Sequence, residues 1–497
     1  MTLAADRPTA PTITHEFRLF IDGRFVDAAS GETFESINPT TNEPFARVAK
    51  AGREDVELAV RAARRAFDEG PWPRMSPAER KKILYRIADG IEARADELAR
   101  LESIDMGKPI TEAREKDVPR AALNFRFFAD YAALSHTEMF EQRSIGVLTY
   151  TLREPRGVAL LITPWNFPLM LETWKVAPAL AFGNTAILKP ASASPATANV
   201  LMEICAEAGL PEGVLNLVYG DGETVGMALV EHPGIDCISL TGESSTGKRI
   251  AAAAAGTLKK LSFELGGKSA SIVFADADLD VALPGSLDAI FRNQGEVCLA
   301  GSRLLVQRPI YDEFVARYVD GARAYRVGDP LDPATQIGPL VSPGHWERVR
   351  RYVGIGVAEG GTLLTGGDRP AGPQYERGNF FAPTVIGDVR PEHRVFQEEI
   401  FGPVQVVTPF DTVEDAIRLA NDSRYGLAGM VWTTNLETAH RVAAGVRTGT
   451  MWVNCFFVRD LRVPFGGFRE SGTGREGGKW SEDFFTESKS VVLKLRA

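Results

Sequence analysis

Val158-Ala-Leu-Leu-Ile162, Thr185-Ala-Ile-Leu188, Val214-Leu-Asn-Leu-Val218 and Ile235-Asp-Cys-Ile-Ser-Leu240 decide the fold of this chain. Each is a short apolar run rich in Val, Ile and Leu, bounded by turn residues, as strands buried on both faces are. Helical stretches such as Ala196 to Ala208 separate them. Strand and helix thus alternate from about Gly157 to Ser271, the pattern of a parallel, doubly wound sheet. A second alternating region runs from about Ser269 to Val453. Strands are expected there at Ser271 to Phe274, Arg303 to Gln307 and Gln405 to Pro409, and helices at Ile310 to Arg323 and Thr412 to Ala420. Upstream, Ser76-Pro-Ala-Glu79 offers an N-cap, a proline at the first helical position and a capping-box Glu. Leu84, Ile87, Ile91 and Leu98 follow at helical spacing until Gly107 and Pro109 stop the helix. Ser144 to Arg153 and Ser490 to Leu495 remain over and read as β ribbon, a kind of spare strand that often pairs across subunits.

The composition fits two packed α/β units. A chain of 497 residues with 44% hydrophobic and 24% charged residues is well cored, and too long for one small core. Its net charge of −9 is spread along the sequence. It therefore carries no basic footprint for nucleic acid and no polybasic membrane patch. The uncharged span between Arg156 and Glu172 is short and broken by Pro164 and Pro168, which argues against a membrane helix. Met1 to Thr14 has no apolar core of the kind a signal peptide needs and reads as a frayed tail. Cys205, Cys237, Cys298 and Cys455 are few and scattered, without a CxxC pair or a Cys/His cluster. That usage suits a reducing cytoplasm and argues against a metal site.

The obvious nucleotide motif is misleading. Gly472-Thr-Gly474-Arg-Glu-Gly477 satisfies GxGxxG, but no strand feeds directly into it and too little chain follows for a βαβ crossover, so it reads as a glycine-rich turn. Gly242-Glu-Ser-Ser-Thr-Gly247 is the better candidate. It follows the strand ending at Leu240 and opens a helix whose first amides could face a pyrophosphate. Cys298 lies in the polar, glycine-flanked segment Asn293-Gln-Gly-Glu-Val-Cys298-Leu-Ala-Gly301, whereas Cys205 and Cys237 suit a helix face and a strand interior as small hydrophobes. A thiolate nucleophile needs a base, and Glu264 falls at a strand end, although such a carboxylate also caps helices or pairs with lysines. In Pro164-Trp-Asn166-Phe-Pro168 the two prolines fix a turn. They could hold the Asn166 amide as an oxyanion donor, or Asn166 could simply stabilise its own turn.

Pro164-Trp-Asn-Phe-Pro168, Lys189-Pro190, the Gly242 to Gly247 loop, Phe263-Glu-Leu-Gly-Gly267, Gly295-Glu-Val-Cys298, Glu398-Glu-Ile-Phe-Gly-Pro403 and Pro464-Phe-Gly-Gly467, in that order, resemble the aldehyde dehydrogenase superfamily from about Leu19 to Val492. The resemblance implies an α/β fold of two doubly wound domains plus an oligomerisation ribbon. Residues 1–135 and 156–266 would form the dinucleotide-binding domain, 267–470 the catalytic domain, and 136–155 with 471–497 the ribbon and C-terminal tail of a dimer or tetramer. It implies Cys298 as nucleophile, Asn166 and the Cys298 N–H as oxyanion donors, and Glu264 as the base that hydrolyses the thioester. Lys189 matches a ribose contact, Trp165 a cofactor-cleft residue, and Glu399 and Phe401 nicotinamide-ribose ligands. Glu264 also favours release of a free acid over transfer to coenzyme A.

Two departures concern the cofactor. Many NAD-dependent members have Glu where this chain has Ser192; a like charge near 4 Å is worth about 4 kcal/mol at an effective dielectric of 20. NADP is therefore expected to be tolerated beside NAD. Glu243 replaces a common Ser beside the pyrophosphate and must point away or bond backbone amides.

Arg459-Asp-Leu-Arg462 interrupts an apolar stretch just before Phe465, where relatives acting on aliphatic or aromatic aldehydes have an apolar tunnel residue. Arg120 falls on the tunnel helix in the family frame, though its charged neighbours alone suggest a solvated face. Arg120, Arg459, Arg462 and Phe465 are thus candidate substrate residues, since guanidinium forks match a carboxylate bidentately. The tail Asn454 to Gly478 looks most like the branch oxidising muconate-type semialdehydes from catechol meta-cleavage. A γ-glutamyl-aminobutyraldehyde or succinate semialdehyde dehydrogenase, or a broad-range enzyme, is the alternative. A non-catalytic relative would be free to lose Cys298, Glu264 or Asn166, and all three are present.

Overall fold

The computed structural model describes residues 13–495. The tail expected over Met1 to Thr14 lies outside the described residues except for its last two positions. Five parallel strands lie side by side in the order Lys260–Glu264, Cys237–Thr241, Val158–Ile162, Thr185–Lys189, Leu215–Leu217. The chain builds outward from Val158–Ile162 to one side, then returns to its other flank through Cys237–Thr241. That reversal is the topological switch point at which α/β sheets open a crevice beyond their carboxyl ends. Leu160, Leu161, Ile187, Leu188 and Ile238 have no accessible surface, as the continuous apolar runs require. Leu19–Ile21 and Arg24–Val26 extend one edge antiparallel, and Gly472–Thr473 pairs antiparallel with Phe263 and Glu264 at the other. The glycine-rich turn is therefore an edge strand that steadies the end of the strand bearing Glu264.

Leu265 to Ser269 carries the chain into a seven-stranded sheet centred on Ala270–Val273, Arg303–Gln307 and Val404–Phe410, parallel except for its edge strand Thr362–Thr365. Helices Tyr311–Arg323 and Val413–Asn421 fall where periodicity places them; the Thr412 hydroxyl caps the second by accepting from Asp415 N. The capped helix at Ser76 forms as Pro77–Ala93 but breaks at Arg94, and Ala95–Met106 continues it until Gly107 turns left-handed at φ 84°. In the ribbon, Thr486–Lys494 pairs with Val147–Pro155, which pairs with Met139–Gln142. The first strand begins later than expected because Arg143–Ile145 forms a 3₁₀ turn ending at left-handed Gly146. No helix among the described residues is long and apolar enough to cross a membrane.

Charge is also buried under the first unit. Lys108 has no accessible surface and is held between Glu102, 2.9 Å away, and Asp117, delivered by the π-helical turn Ala113–Asp117. Breaking a buried pair from one side leaves an uncompensated charge, at a cost of ~3–5 kcal/mol. Lys108→Met is expected to lower the midpoint of thermal unfolding clearly; an unchanged midpoint would show that the cluster contributes no net stability.

Candidate active site

Cys298 sits between helix Leu279–Phe291 and strand Arg303–Gln307, after a bend at which Asn293, Gln294 and Gly295 all take positive φ. Two close approaches fix its place. A Cβ on Gly267 would lie 2.3 Å from the Cys298 carbonyl oxygen, and one on Gly295 would lie 2.3 Å from the Gly402 carbonyl group, so only glycine fits at either position. The Pro164 turn brings Asn166 beside it: Asn166 Nδ2 donates to the Glu296 carbonyl at 2.7 Å, and Asn293 Nδ2 donates to the Asn166 carbonyl at 2.9 Å. One of the two Asn166 amide protons is thus used for anchorage, and the other remains for the cleft.

Cys298, Asn166, Trp165, Gly242, Glu399 and Phe401 line a cleft of about 170 Å³ at the carboxyl end of the first sheet, together with Glu243. The Cys298 thiol is pushed up to about 12, first by burial and then by the charges of Glu399 and Glu264, with Arg459 pulling the other way. Glu399 accepts from Gly267 N at 2.8 Å and is raised to about 7 by burial. Phe401 adopts φ 66°, and its carbonyl accepts from His345 Nε2 at 2.6 Å. Burial pulls His345 down to about 4, so it is neutral and its edge-on contact with Trp165, at 5.3 Å, is that of an uncharged ring.

Glu264 stands behind this lining, at the end of its strand. Neither carboxylate oxygen has a hydrogen-bond partner, and the side chain is almost fully buried. Burial, then the neighbouring Glu476, holds it well above the usual carboxylate range; Lys175, Arg459 and Arg475 oppose the shift. Glu476 escaped sequence reasoning because it lies inside the misleading glycine motif. It accepts from Trp174 Nε1 at 2.5 Å and Lys175 Nζ at 2.8 Å. The signal available was Lys175 itself, a charge within the apolar helix Pro168–Ala181. His345 and Arg348, which also line the cleft, carried no comparable signal.

The cofactor residues divide. Gly242 and Glu243 line the cleft. Helix Ser244–Ala254 has no side-chain cap, and its first internal bond is Gly247 N to Glu243 O, so the amides just before it are free for an anion. Glu243 turns away from them toward Arg348, 3.9 Å distant. Gly247 is not on the cleft: a Cβ there would meet Leu265 at 2.9 Å, so it serves close packing of helix on strand. Lys189 lines a separate cavity; its Nζ donates to the Pro190 carbonyl at 3.3 Å, and burial pulls it down to about 8. Ser192 lines neither cavity and donates to the Gly220 carbonyl at 3.0 Å. The free amides, the sparsely partnered Lys189 and the Glu399 carboxylate together suit a dinucleotide's phosphates and riboses.

A third cavity, of about 210 Å³, contains Arg120, Trp174 and Arg459 among its walls. Arg459 lies 3.6 Å over the Phe465 ring and 4.9 Å from the centre of Trp174; Arg120 lies 5.6 Å from Trp174 and donates to Asn124 Oδ1 at 3.0 Å. Neither guanidinium has a carboxylate partner among the described residues. Burial, then Arg120, pulls Arg459 down to about 9, and burial pulls Arg120 to about 10. Arg462 is not brought to this cavity: it points to solvent and is doubly bonded to Asp460 two residues before it, which spends both of its directions on a local turn.

A switch-point crevice closed by a second, cysteine-bearing α/β unit defines a class of oxidoreductases acting on aldehydes. The chain belongs to the aldehyde dehydrogenase family: residues 25–491 match the family described as Aldehyde dehydrogenase family, whose members use NAD or NADP. It is 48% identical, over 97% of its length and 100% of the relative's, to a 2-hydroxymuconic semialdehyde dehydrogenase of Pseudomonas sp. (strain CF600). It is 46% identical to the human 2-aminomuconic semialdehyde dehydrogenase, over 96% of this chain and 97% of that one. Among solved structures, a P. syringae indole-3-acetaldehyde dehydrogenase in complex with NAD+ superposes with a TM-score of 0.94 at 43% identity, covering 96% of both chains.

Proposed function

We propose that the chain oxidises a carboxylate-bearing, muconate-type semialdehyde to the corresponding acid with NAD, as a cytoplasmic homo-oligomer. The observation that carries the substrate class is Arg459: a half-buried guanidinium stacked on Phe465 and Trp174, near Arg120, that forms no ion pair among the described residues, although Glu264 and Glu476 act on it from a distance. A partly desolvated cation at a cavity wall gains from an ion pair that the protein does not supply, and a substrate carboxylate supplies it. The names of the two muconic semialdehyde relatives agree with that reading.

Cys298 Sγ, its proton released to water in the cleft, adds to the aldehyde carbon; the oxyanion formed is held by the free Asn166 amide proton and the Cys298 N–H, and loss of hydride from that carbon leaves a thioester on Cys298. When bound, the nicotinamide ring supplies the hydride acceptor. Glu264 takes a proton from water, and the resulting hydroxide cleaves the Cys298 thioester to release the acid. Asn166→Ala is expected to lower kcat about 10²–10³-fold, the cost of one oxyanion donor. Its thermal midpoint should stay near wild type, because Asn293 still donates to the Glu296 carbonyl at 3.3 Å. A kcat within threefold of wild type would remove Asn166 from the oxyanion site.

Phe140 and Val492, both opposite Thr149, are exposed on one face of the ribbon, and Met139 and Leu493 are exposed on the other, an apolar surface that a second subunit would cover. Light scattering should accordingly give a multiple of 54.1 kDa. The substrate reading is tested by comparing kcat/KM with NAD for 2-hydroxymuconate semialdehyde and for hexanal. A marked preference for the carboxylated aldehyde is expected, and equal turnover would leave a broad-range aldehyde dehydrogenase.

A further inference from the structure

An ion pair at the far end of the crevice has no part in the chemistry at Cys298. Helix Ser244–Ala254 separates two cavities: the residues at its start line the Cys298 cleft, whereas Thr246, Arg249 and Ile250 line a smaller cavity of about 90 Å³ with Ile162, Lys189 and Glu223. A dinucleotide with its reactive ring at Cys298 that ran over the free amides of this helix would bring its other nucleoside to the smaller cavity. At that cavity Arg249, on the helix, and Glu223, on the turn Gly222–Gly226, make two parallel bonds of 2.6 and 2.5 Å. Both side chains are more than half exposed. Glu223 is the only carboxylate among the described residues that line this cavity.

We propose that the Glu223–Arg249 pair selects between NAD and NADP, Arg249 exchanging the Glu223 carboxylate for the cofactor's 2′-phosphate. The proposal rests on the crevice being the dinucleotide site. A bidentate ion pair in water contributes little net stability and is screened by salt, so releasing it is easy. A phosphate monoester carries about −1.5 to −2 charges at pH 7 and offers the same fork more charge than a carboxylate does. Glu223 alone would repel that phosphate, whereas Arg249 attracts it, so the two residues have opposite effects. A nucleotide with a bare 2′-hydroxyl leaves the pair intact and is indifferent to both.

The test is calorimetric binding of 5′-ADP and adenosine 2′,5′-bisphosphate to the full-length protein, wild type, Arg249→Ala and Glu223→Gln, with no turnover involved. Arg249→Ala is expected to weaken the bisphosphate about tenfold or more while changing 5′-ADP less than about threefold, and Glu223→Gln to tighten the bisphosphate about three- to tenfold. Both variants alter exposed side chains, so unfolding midpoints should match wild type. Equal changes for the two nucleotides, or none for either, overturn the proposal. Failure of wild type to bind 5′-ADP at all would instead remove the dinucleotide reading, and the selector with it.

Discussion

Arg459→Ala is expected to lower kcat/KM for 2-hydroxymuconate semialdehyde about 100-fold relative to hexanal. Two charge-assisted bonds from one fork are worth about 3 kcal/mol together, and each 1.4 kcal/mol is a factor of ten. The ratio is the informative quantity, because Arg459 acts on more than the substrate. Its charge opposes the upward shifts of both Cys298 and Glu264. Removing it disfavours the thiolate and the carboxylate for any aldehyde, so hexanal turnover should fall too, by a smaller factor common to both substrates. Selectivity that survives in the variant would place the selector elsewhere and leave Arg459 as an electrostatic support for the reacting groups. Arg459→Lys keeps the charge but not the fork, and should restore the hexanal rate more fully than the muconate rate.

Glu264→Gln should arrest the reaction after acylation. The expected trace is a burst of reduced cofactor stoichiometric with subunits, then a steady rate about 10²–10⁴-fold below wild type, the usual contribution of a general base. The pH dependence follows from the same carboxyl group. Burial and Glu476 hold its pKa well above the ordinary value of 4.5, so the ionised base is present at high pH and is lost as pH falls through that raised pKa. Wild-type steady-state turnover should therefore drop on the acid side well above pH 4.5 while the burst persists. In Arg459→Ala, without the opposing cation, the acid limb should move to higher pH. A Glu264→Gln variant with neither burst nor turnover would sink the assignment, since the residue would then be needed before the thioester forms.

Much of this was legible in the chain. Runs such as Val158 to Ile162 are apolar at every position because a parallel strand is covered on both faces, so composition alone places them in the sheet. The Ser76 to Glu79 box marks a helix start because its bonds are local, and Thr412 does the same further on. Cys298 was separable from Cys205 and Cys237 by its polar, glycine-flanked surroundings, and the sequence set Glu264 at the end of a strand.

The remainder depended on contacts between residues distant in sequence. Gly472 to Gly477 reads as a loop because the strand that it joins lies two hundred residues upstream in sequence, and pairing with Phe263 and Glu264 exists only once the chain has closed. Glu476 meets Trp174 and Lys175 by the same closure. Arg459 and Arg462 are alike in sequence, three positions apart in one loop. Folding sends the first over the rings of Phe465 and Trp174, while Asp460 holds the second in solvent. Local periodicity determined which elements form and which residue types could do chemistry. Long-range packing decided which charges are buried without partners, and hence which side chains are left to bind.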